Sequence, residues 1–356
     1  MKNIGIIGTG SIANSVHIPQ LLKINECRIS AICDIDAKAL ESTGDKLGID
    51  KEHRFTDYKD LIDCPDVDAV EICTPTYTHM EIAKYAASVG KAINVEKPLG
   101  INFDECAELA DIIEEKNIVN MTTFSYRFMP AVRYAKWILD KGMIGDIVSL
   151  NVEYVKSSAF MPGRRLEWRF VKKYAGSGVL GDLGVHLIDM AHLLVGEFTT
   201  VGAMTGIAVK NRKKLDSEEI AEVETDDYCN FVAKMKQRRN GKEAAATFSI
   251  SRCAIGHQNT IKYDIFATEG VISFNLNNPK ELNVCIGEVD KKSDSLHTVR
   301  VPGEFYAGQE ESFVDALNGK FCDYFPTVKD GINCQRVLDA VLKSAESGNF
   351  VAVQGK

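Results

Sequence analysis

Short apolar runs alternate with helical patterns over the first third of the chain. The apolar runs are rich in β-branched residues, and their alternation with helices predicts a parallel sheet covered on both faces. The predicted strands are Asn3–Ile7, Arg28–Cys33, Ala69–Cys73, Ala92–Val95 and Val119–Thr123, with helices around Ala37–Leu47, His79–Val89 and Asp104–Lys116. In such a sheet we expect the ligand at the carboxyl ends of the strands.

The pattern changes after Thr123. A helix over Ala131–Lys141 and a strand over Ile147–Val155 lead into residues 156–177, which show no clear period. Because this basic segment contains aromatic residues and is not of low complexity, we expect an ordered loop over the cleft. From Val201 onward, consecutive strands without helices predict an antiparallel sheet. Its clearest strands are Ala244–Arg252, Thr260–Ala267, Val271–Asn275 and Leu282–Ile286, and helices near Gln309–Leu317 and Lys329–Ser347 follow.

A glycine turn joins the first strand to the first helix. In Gly8-Thr9-Gly10-Ser11-Ile12-Ala13, Gly8 permits the tight exit from the strand, Gly10 lets a pyrophosphate approach the backbone, and Ala13 packs on the strand. The helix N-terminus offers unpaired N–H groups to the phosphates. Asp34, at the end of the second strand, can accept both hydroxyls of an adenosine ribose and would repel a 2′-phosphate. The sequence therefore predicts NAD rather than NADP.

Polar residues follow two further strands of this sheet. Thr74-Pro75-Thr76 and His79 come after the third strand, and Glu96-Lys97 comes after the fourth. Because parallel strands end at one edge of the sheet, we expect these groups at the cleft. Taken alone, His79 would be better explained as a surface residue at a helix N-terminus. The ordinary explanation of Glu96-Lys97 is a surface ion pair.

Another group of polar residues lies in a segment that is otherwise apolar. If the chain is helical from about Leu180, then Asp182, His186 and Asp189 stand at i, i+4 and i+7 and share one face over roughly 60°. The intervening residues are mainly leucine, isoleucine and valine. Polar groups on a helix suited to burial favour a functional site over a solvated face.

Composition limits the partners of the chain. Its net charge is −8, from 42 basic and 50 acidic residues, which argues against binding nucleic acid or an anionic membrane surface. No apolar run is long enough to span a bilayer. The 10 cysteines include no C-x-x-C pair and are interpreted as free thiols of a reducing compartment. Since the first strand begins almost at Met1, we expect no signal peptide and a cytoplasmic protein.

These motifs together resemble the glucose–fructose oxidoreductase / inositol dehydrogenase (Gfo/Idh/MocA) family along nearly the whole chain. The matching pieces are the glycine turn, Cys73-Thr74-Pro75-Thr76 with His79, Glu96-Lys97-Pro98, Arg127, Trp168-Arg169, and Asp182-x-x-x-His186-x-x-Asp189. The resemblance implies an α/β protein with an N-terminal Rossmann domain, a doubly wound parallel sheet, over residues 1–123. It also implies a C-terminal α/β domain over residues 124–356, for substrate binding and oligomerisation. The large, open, mostly antiparallel sheet of that domain commonly forms a homodimer or homotetramer interface.

The resemblance further implies hydride transfer between nicotinamide and a secondary hydroxyl of a sugar, glycoside or cyclitol, giving a keto-sugar. Such an oxidation needs a base for the hydroxyl proton and a rigid hold on the carbon. Lys97 and His186 are the candidates for this base. In our hypothesis His186 takes the proton, Lys97 polarises the same oxygen, and Asp182 binds a neighbouring hydroxyl. Which of the two is the base stays open.

The same resemblance implies sets of contact residues. The residues expected to contact NAD are Gly8, Gly10, Ser11, Ile12, Asp34, Thr74, Pro75, Thr76, His79, Glu96, Lys97 and Arg127. Those expected to contact the substrate are Lys97, Arg127, Trp168, Arg169, Asp182 and His186. For Trp168, simple core packing is an equally good explanation.

Other functions share this fold. An NAD-dependent glycosidase oxidises a sugar transiently and eliminates the aglycone. A transhydrogenase keeps NAD bound and exchanges oxidation state between sugars. A sugar-sensing protein binds a sugar but no longer catalyses hydride transfer. The presence of both Lys97 and His186 counts against the sensor. Asp182, His186 and Asp189 could bind a metal by ligand type. However, the resemblance implies catalysis without metal.

Overall fold

A computed structural model describes residues 1–353, and the chain divides into two compact units. The first unit contains Met1–Phe124 and Ala307–Ile332, and the second contains Ser125–Tyr306 and the residues from Asn333 onward. The segment 307–332 therefore returns to the first unit. The division predicted from the sequence, 1–123 and 124–356, placed this segment in the second domain. As a division of function it stays a prediction.

The first unit is built on a parallel sheet of six strands in the order β3-β2-β1-β4-β5-β6. The strands are β1 (Lys2–Ile7), β2 (Cys27–Cys33), β3 (Arg54–Phe55), β4 (Ala69–Ile72), β5 (Ala92–Val95) and β6 (Asn120–Thr122). The α-helices between them are α1 (Ile18–Leu21), α2 (Ala37–Leu47), α3 (Tyr58–Asp63), α4 (Thr76–Ser88) and α5 (Phe103–Lys116). The strand order reverses between β1 and β4, which is the switch point of a Rossmann sheet. The predicted doubly wound sheet is confirmed.

Apolar side chains cover both faces of this sheet. One cluster contains Ile7, Val70 and Ile93, and a separate cluster contains Ile4 and Phe313, the latter from the returning segment. Polar caps set the helix boundaries: the Asp36 side chain accepts hydrogen bonds from two backbone amides at the start of α2, and Asn102 accepts one at the start of α5. The returning segment thus completes the core of the first unit.

The second unit is built on a sheet of nine strands in the order β16-β15-β14-β13-β7-β12-β11-β8-β17, with a separate β9–β10 pair. Its strands are β7 (Ile147–Val155), β8 (Gly196–Gly206), β9 (Asn211–Lys213), β10 (Ile220–Glu222), β11 (Tyr228–Gln237), β12 (Glu243–Ser251), β13 (Thr260–Ala267), β14 (Gly270–Asn275), β15 (Glu281–Ile286), β16 (His297–Arg300) and β17 (Val351–Ala352). The remaining α-helices of the chain are α6 (Pro130–Asp140), α7 (Lys172–Ala175), α8 (Val185–Leu194), α9 (Gly287–Ser293), α10 (Gln309–Leu317) and α11 (Val328–Ser347). Helix α10 lies in the returning segment.

The large sheet is mostly antiparallel, as predicted, with one exception. Strand β7 pairs antiparallel with β13 but parallel with β12. This arises because β7 is followed by a helical connection through α7 and α8 rather than by a hairpin. The predicted turn at Asn240-Gly241 does join β11 and β12, and Gly241 has a φ of 71°. Burial alternates residue by residue along β11, so one face of the sheet is exposed.

Residues 156–177 contain short helical turns and pack against the rest of the second unit. The fully buried Phe170 ring is surrounded by the guanidinium carbons of Arg164, Arg212 and Arg252 at 4.8, 4.5 and 4.8 Å. Such cation–π contacts fix the basic, aromatic segment in place. Within residues 1–353, no helix combines the length and hydrophobicity that crossing a membrane requires.

Candidate active site

The glycine turn has the geometry that the sequence predicted. Gly8 has a φ of 90°, and a Cβ there would lie 2.9 Å from the backbone of Cys73 and Thr74 at the end of β4. At Gly10 a Cβ would have no atom of the chain within 4 Å. Gly8 is therefore required by the close approach of β1 and β4. Gly10 borders open space at the start of the first helix, which fits the approach of a pyrophosphate.

The helix that the sequence predicts after this turn is present, but it contains a π-helical turn. Ser11 and Ile12 are α-helical, Ala13–His17 form a π-helical turn, and Ile18–Leu21 are α-helical again. Pro19 lies in the first turn of α1, and its missing N–H explains the break in the α-helical hydrogen-bond pattern. Ser11 and Ile12, at the start of the segment, are exposed.

Asp34 is held next to the glycine turn. Its Oδ2 accepts hydrogen bonds from the backbone N–H of Thr9 at 2.7 Å and from the Thr9 hydroxyl at 2.9 Å, and its Oδ1 accepts one from the N–H of Asp36. These bonds fix the carboxylate at the end of β2, within reach of the turn. Its contact with ribose hydroxyls stays a prediction.

His79 lies in the interior, so its explanation as a surface residue is wrong. Its ring is 1% exposed, with Nε2 2.8 Å from the carbonyl oxygen of Thr74 and Nδ1 3.0 Å from that of Pro98. Burial lowers the pKa of His79, so the ring is neutral and donates one N–H to a carbonyl. His79 thus connects the turns that follow β4 and β5. Helix α4 begins at Thr76, directly after Pro75.

Glu96 is also buried, so Glu96-Lys97 is not a surface ion pair. Glu96 Oε1 lies 2.9 Å from Nε2 of His17, and Glu96 Oε2 accepts the backbone N–H of Lys97 at 3.0 Å. Burial would raise the pKa of Glu96, but the hydrogen bond from His17 and the charge of Lys97 hold that pKa below its usual value. Glu96 is therefore a buried carboxylate that holds the backbone of the half-buried Lys97.

His17 belongs to a buried polar cluster that the sequence analysis missed. Its Nδ1 lies 3.0 Å from Glu310 Oε1 and 3.2 Å from Glu71 Oε2, and Asn94 donates to Glu71 at 2.7 Å. Glu71 and Asn94 interrupt the apolar strands β4 and β5 at positions that are paired in register. A polar residue in each of two buried parallel strands was the available signal, because such strands normally read as continuous apolar runs.

In the second unit, Asp182 and His186 lie on different kinds of helical turn. Asp182 belongs to a π-helical turn over Leu180–Gly184, whereas His186 and Asp189 belong to α8. The expectation of one regular helix from Leu180 is therefore wrong for Asp182, and the rotation of 100° per residue does not apply there. Glycine residues in this stretch weaken the α-helix. Asp182 is half-buried, and the other two residues are buried.

One tyrosine that no sequence pattern marked contacts His186, and a second tyrosine is hydrogen-bonded to the first. The Tyr126 ring lies 4.5 Å from the His186 ring, centre to centre. The Tyr126 hydroxyl is 2.9 Å from that of Tyr154, which donates to Asn259 Oδ1 at 2.8 Å, so Tyr126 donates to Tyr154. Burial, Tyr126 and the charge of Asp182 raise the pKa of Tyr154, which stays protonated. No local pattern marks these residues, because β7 and the turn before α6 meet only in the folded chain.

The other predicted residues of the second unit form two pairs. Arg127 makes a buried ion pair with Asp189, with Nη2 2.5 Å from Oδ1. The Arg169 guanidinium carbon lies 4.3 Å from the centre of the Trp168 ring, and Trp168 is half-buried rather than part of the core. Binding of NAD or substrate by these residues stays a prediction.

Comparison with known proteins identifies the chain. An oxidoreductase family described by its NAD-binding Rossmann fold matches residues 2–124, and the GFO/IDH/MocA C-terminal domain matches residues 132–273. A levoglucosan dehydrogenase of Pseudarthrobacter phenanthrenivorans is 33% identical over 332 residues, which are 85% of this chain and 84% of that protein. The chain belongs to the Gfo/Idh/MocA family. The predictions of family and of NAD as cofactor are confirmed.

Further relatives extend the similarity over the full length. Inositol 2-dehydrogenase of Rhizobium meliloti is 25% identical over 351 residues, 98% of each chain. The solved structure of levoglucosan dehydrogenase in complex with NADH and levoglucosan has a TM-score of 0.87 and 29% identity, covering 99% of this Gfo/Idh/MocA chain and 100% of the other. The predicted fold class, a Rossmann sheet followed by a mostly antiparallel sheet, is confirmed.

Proposed function

We propose that the chain is an NAD-dependent dehydrogenase that oxidises a secondary hydroxyl of a sugar, glycoside or cyclitol to a ketone. One observation carries the proposal. This chain belongs to an NAD-binding oxidoreductase family, and it has Lys97 after the end of β5 and Asp182 and His186 around the start of α8. Relatives named levoglucosan dehydrogenase and inositol 2-dehydrogenase support the substrate class.

Most of the residues that hold the cofactor in this proposal belong to the first unit. When bound, NAD supplies the hydride acceptor for oxidation of the alcohol. The backbone of the glycine turn and the helix start, at Gly8, Gly10, Ser11 and Ile12, binds the pyrophosphate, while Asp34 accepts the ribose hydroxyls. The groups that follow β4 and β5, together with one arginine, complete the binding surface: Thr74, Pro75, Thr76, His79, Glu96, Lys97 and Arg127.

The substrate is bound and deprotonated mainly by side chains of the second unit. His186 accepts the hydroxyl proton, Asp182 holds a neighbouring hydroxyl, and Lys97 of the first unit polarises the reacting oxygen. The Tyr126 ring restricts the position of the His186 imidazole. Arg127, Trp168 and Arg169 are the further substrate contacts that we propose.

Assembly and location belong to the same proposal. The exposed face of the nine-stranded sheet is the surface through which we infer a homodimer or homotetramer. The 10 cysteines are free thiols, which supports a reducing, cytoplasmic location. Residues 1–123 bind NAD, and residues 124–356 bind substrate and form the subunit interface.

A substrate panel tests the function. The full-length protein is incubated with NAD and with levoglucosan, inositols, glucosides or free aldoses, while NADH absorbance is followed and the oxidised carbon is located by NMR. Formation of NADH and a keto-sugar is the expected result. Free aglycone without net NADH would instead identify the glycosidase, and exchange of oxidation state between two sugars without external NADH would identify the transhydrogenase. Sugar binding without any turnover would overturn the proposal in favour of a sensor.

A further inference from the structure

A histidine in the glycine-turn helix is connected to Lys97 through a single carboxylate. His17 Nε2 lies 2.9 Å from one oxygen of Glu96, and the other oxygen accepts the Lys97 backbone N–H at 3.0 Å. His17 is fully buried, and Glu96 is nearly so. All three residues belong to the first unit. The Glu96 carboxylate therefore ties the end of β5 to the π-helical turn that follows Gly10.

We propose that His17 is a positioning residue for Lys97: as an imidazolium, it fixes the Glu96 carboxylate that binds the Lys97 backbone N–H, and it balances the negative charge of that carboxylate. The consequence for activity rests on the proposed function of Lys97. An unbalanced carboxylate next to an amine stabilises the ammonium form, whereas a carboxylate paired with a cation does so much less. His17 thus controls the position of the Glu96 carboxylate and the net charge that acts on Lys97.

The groups around His17 favour its charged form. Burial opposes the charge, but the Cys73 sulfur, as a hydrogen-bond acceptor, and the Glu310 carboxylate beside the ring raise the pKa of His17 well above its usual value. Glu310 comes from α10, where Gln309 donates to its carboxylate at 2.7 Å. Three carboxyl groups, those of Glu71, Glu96 and Glu310, thus lie within 3.2 Å of the ring nitrogens.

The other titratable groups at this cluster are neutral at neutral pH. Burial and the Glu310 charge raise the pKa of Glu71 to about 8, so it is mostly protonated. Burial raises the pKa of the Cys27 and Cys73 thiols to about 11. Burial lowers the pKa of His79, whose ring is neutral near Glu96. A buried ion pair stabilises a protein little more than apolar side chains of the same size would. We therefore test the effect of this cluster on Lys97 rather than its effect on stability.

The first experiment measures Lys97 without using activity. The full-length protein, free of NAD, is labelled with a trace of acetic anhydride over a range of pH, and mass spectrometry follows acetylation of the Lys97 peptide, since only the unprotonated amine reacts. His17→Gln keeps a hydrogen-bonding side chain without the charge, and Glu96→Gln removes the carboxylate charge. The matched control is His53→Gln. His53 is a histidine of the same unit, and it pairs with Asp66 nearer the surface.

The variants are expected to shift the midpoint of Lys97 labelling in opposite directions. His17→Gln raises it by about one pH unit, the effect of a neighbouring charge, and Glu96→Gln lowers it. The double variant behaves as Glu96→Gln, because His17 acts through that carboxylate. His53→Gln matches the wild type. An unshifted midpoint in His17→Gln, with circular dichroism of the wild type, overturns the inference. Should His17→Gln not fold, an unshifted midpoint in Glu96→Gln overturns it equally.

The second experiment compares kcat/KM against pH for the same variants with the best sugar of the panel. We expect His17→Gln to lower kcat by about 10- to 100-fold, the usual effect of a misplaced catalytic group. The limb of the kcat/KM profile that depends on Lys97 should move to higher pH. The affinity for NADH should stay nearly unchanged. A wild type without dehydrogenase activity but with the labelling shifts refutes the proposed function and supports the link from His17 to Lys97. An active wild type without those shifts refutes the link alone.

Discussion

The guanidinium of Arg127 and the carboxylate of Asp189 form a buried ion pair within the second unit. Arg127 Nε lies 3.0 and 2.9 Å from the two oxygens of Asp189, and both side chains are at most 5% exposed. The pair joins the turn Ser125–Phe128 to α8 one turn after His186. Because Tyr126 contacts the His186 ring, two neighbouring residues of that turn hold the helix that carries the proposed base.

Removing one partner of this pair should destabilise the protein strongly. Arg127→Met leaves the Asp189 charge buried without the guanidinium, and we expect a loss of about 3–5 kcal/mol in the free energy of unfolding. The double variant Arg127→Met/Asp189→Leu should be more stable than Arg127→Met, since it buries no unpaired charge. The measurement is unfolding in denaturant followed by circular dichroism.

An exposed ion pair provides the control for that experiment. Lys234 and Glu243 pair across β11 and β12 with side chains that are 60% and 63% exposed. Lys234→Met should change stability by less than about 1 kcal/mol. Equal losses in Arg127→Met and Lys234→Met would contradict the structural importance of the buried pair.

Asp226 holds the backbone that leads into the Asp182 turn. Its two carboxylate oxygens accept the N–H groups of Gly178 and Leu180 at 2.6 and 2.8 Å. Burial raises the pKa of Asp226, while these amides act against that shift. Asp226→Asn offers one acceptor oxygen instead of two, so we expect a loss of about 1–3 kcal/mol in stability together with lower kcat. Asp216→Asn, at an exposed position, should change neither thermal unfolding nor turnover.

Local patterns made much of this fold predictable. Gly8 follows a β-branched strand, and Asn240-Gly241 separates two alternating strands, so each turn has a signature that needs no distant contact. The end of β2 at Asp34 was predictable for the same reason. In the first unit, the residues at the ends of the predicted strands could therefore be assigned to one edge of the sheet from the sequence alone.

Contacts between distant segments were not predictable in this way. Glu310 reaches His17 only because residues 307–332 return to the first unit, and nothing near Glu310 indicates that return. Strand β3 has two residues and carries no periodic signal. The π-helical turn at Asp182 likewise depends on its packing, since a Cβ at the preceding Gly178 would lie 2.1 Å from the Asp226 carbonyl oxygen.

The buried cluster around His17 should make stability fall as pH rises. In the folded state the pKa of Glu71 is about 8 against a usual value of 4.5, so the folded protein keeps a proton that the unfolded chain loses in this window. Stability therefore decreases as pH rises from 4.5 to about 8. The raised pKa of His17 acts in the same direction: its contribution is complete below 6.5 and is lost as pH rises through its folded pKa.

Glu71→Gln isolates the part of this pH dependence that belongs to Glu71. The amide resembles the protonated acid but cannot titrate, so the thermal midpoint of the variant should fall less than that of the wild type across the same pH window. Glu52→Gln, with a side chain that is 80% exposed, should follow the wild type. Parallel curves for Glu71→Gln and wild type would show that Glu71 is already ionised in the folded protein.

Asp34 should determine the choice between NAD and NADP. Asp34→Asn keeps an acceptor for the Thr9 N–H but loses the charge that repels a 2′-phosphate. We expect the ratio of kcat/KM for NADP to that for NAD to rise about 10- to 100-fold, the range of a charged hydrogen bond of about 1.5–3 kcal/mol. Asp36→Asn is the matched control, because asparagine also caps α2 and does not replace a contact to Thr9. An unchanged ratio in Asp34→Asn would place cofactor selection elsewhere.

Lys97 and His186 should each be needed for turnover but not for cofactor binding. We expect Lys97→Ala and His186→Ala to lower kcat by about 10²- to 10⁴-fold, the range for general acid–base groups, with NADH affinity by fluorescence nearly unchanged. Lys84→Ala and His297→Ala remove the same side-chain types at positions with surface ion pairs and should retain activity. The pH profile of the remaining activity then shows which of the two residues is the base. The variant that lacks the base should lose the limb of the profile at which the base gains a proton. Normal turnover in both Lys97→Ala and His186→Ala would refute the proposed chemistry, since no other pair of groups in the proposal can deprotonate the alcohol and polarise its oxygen.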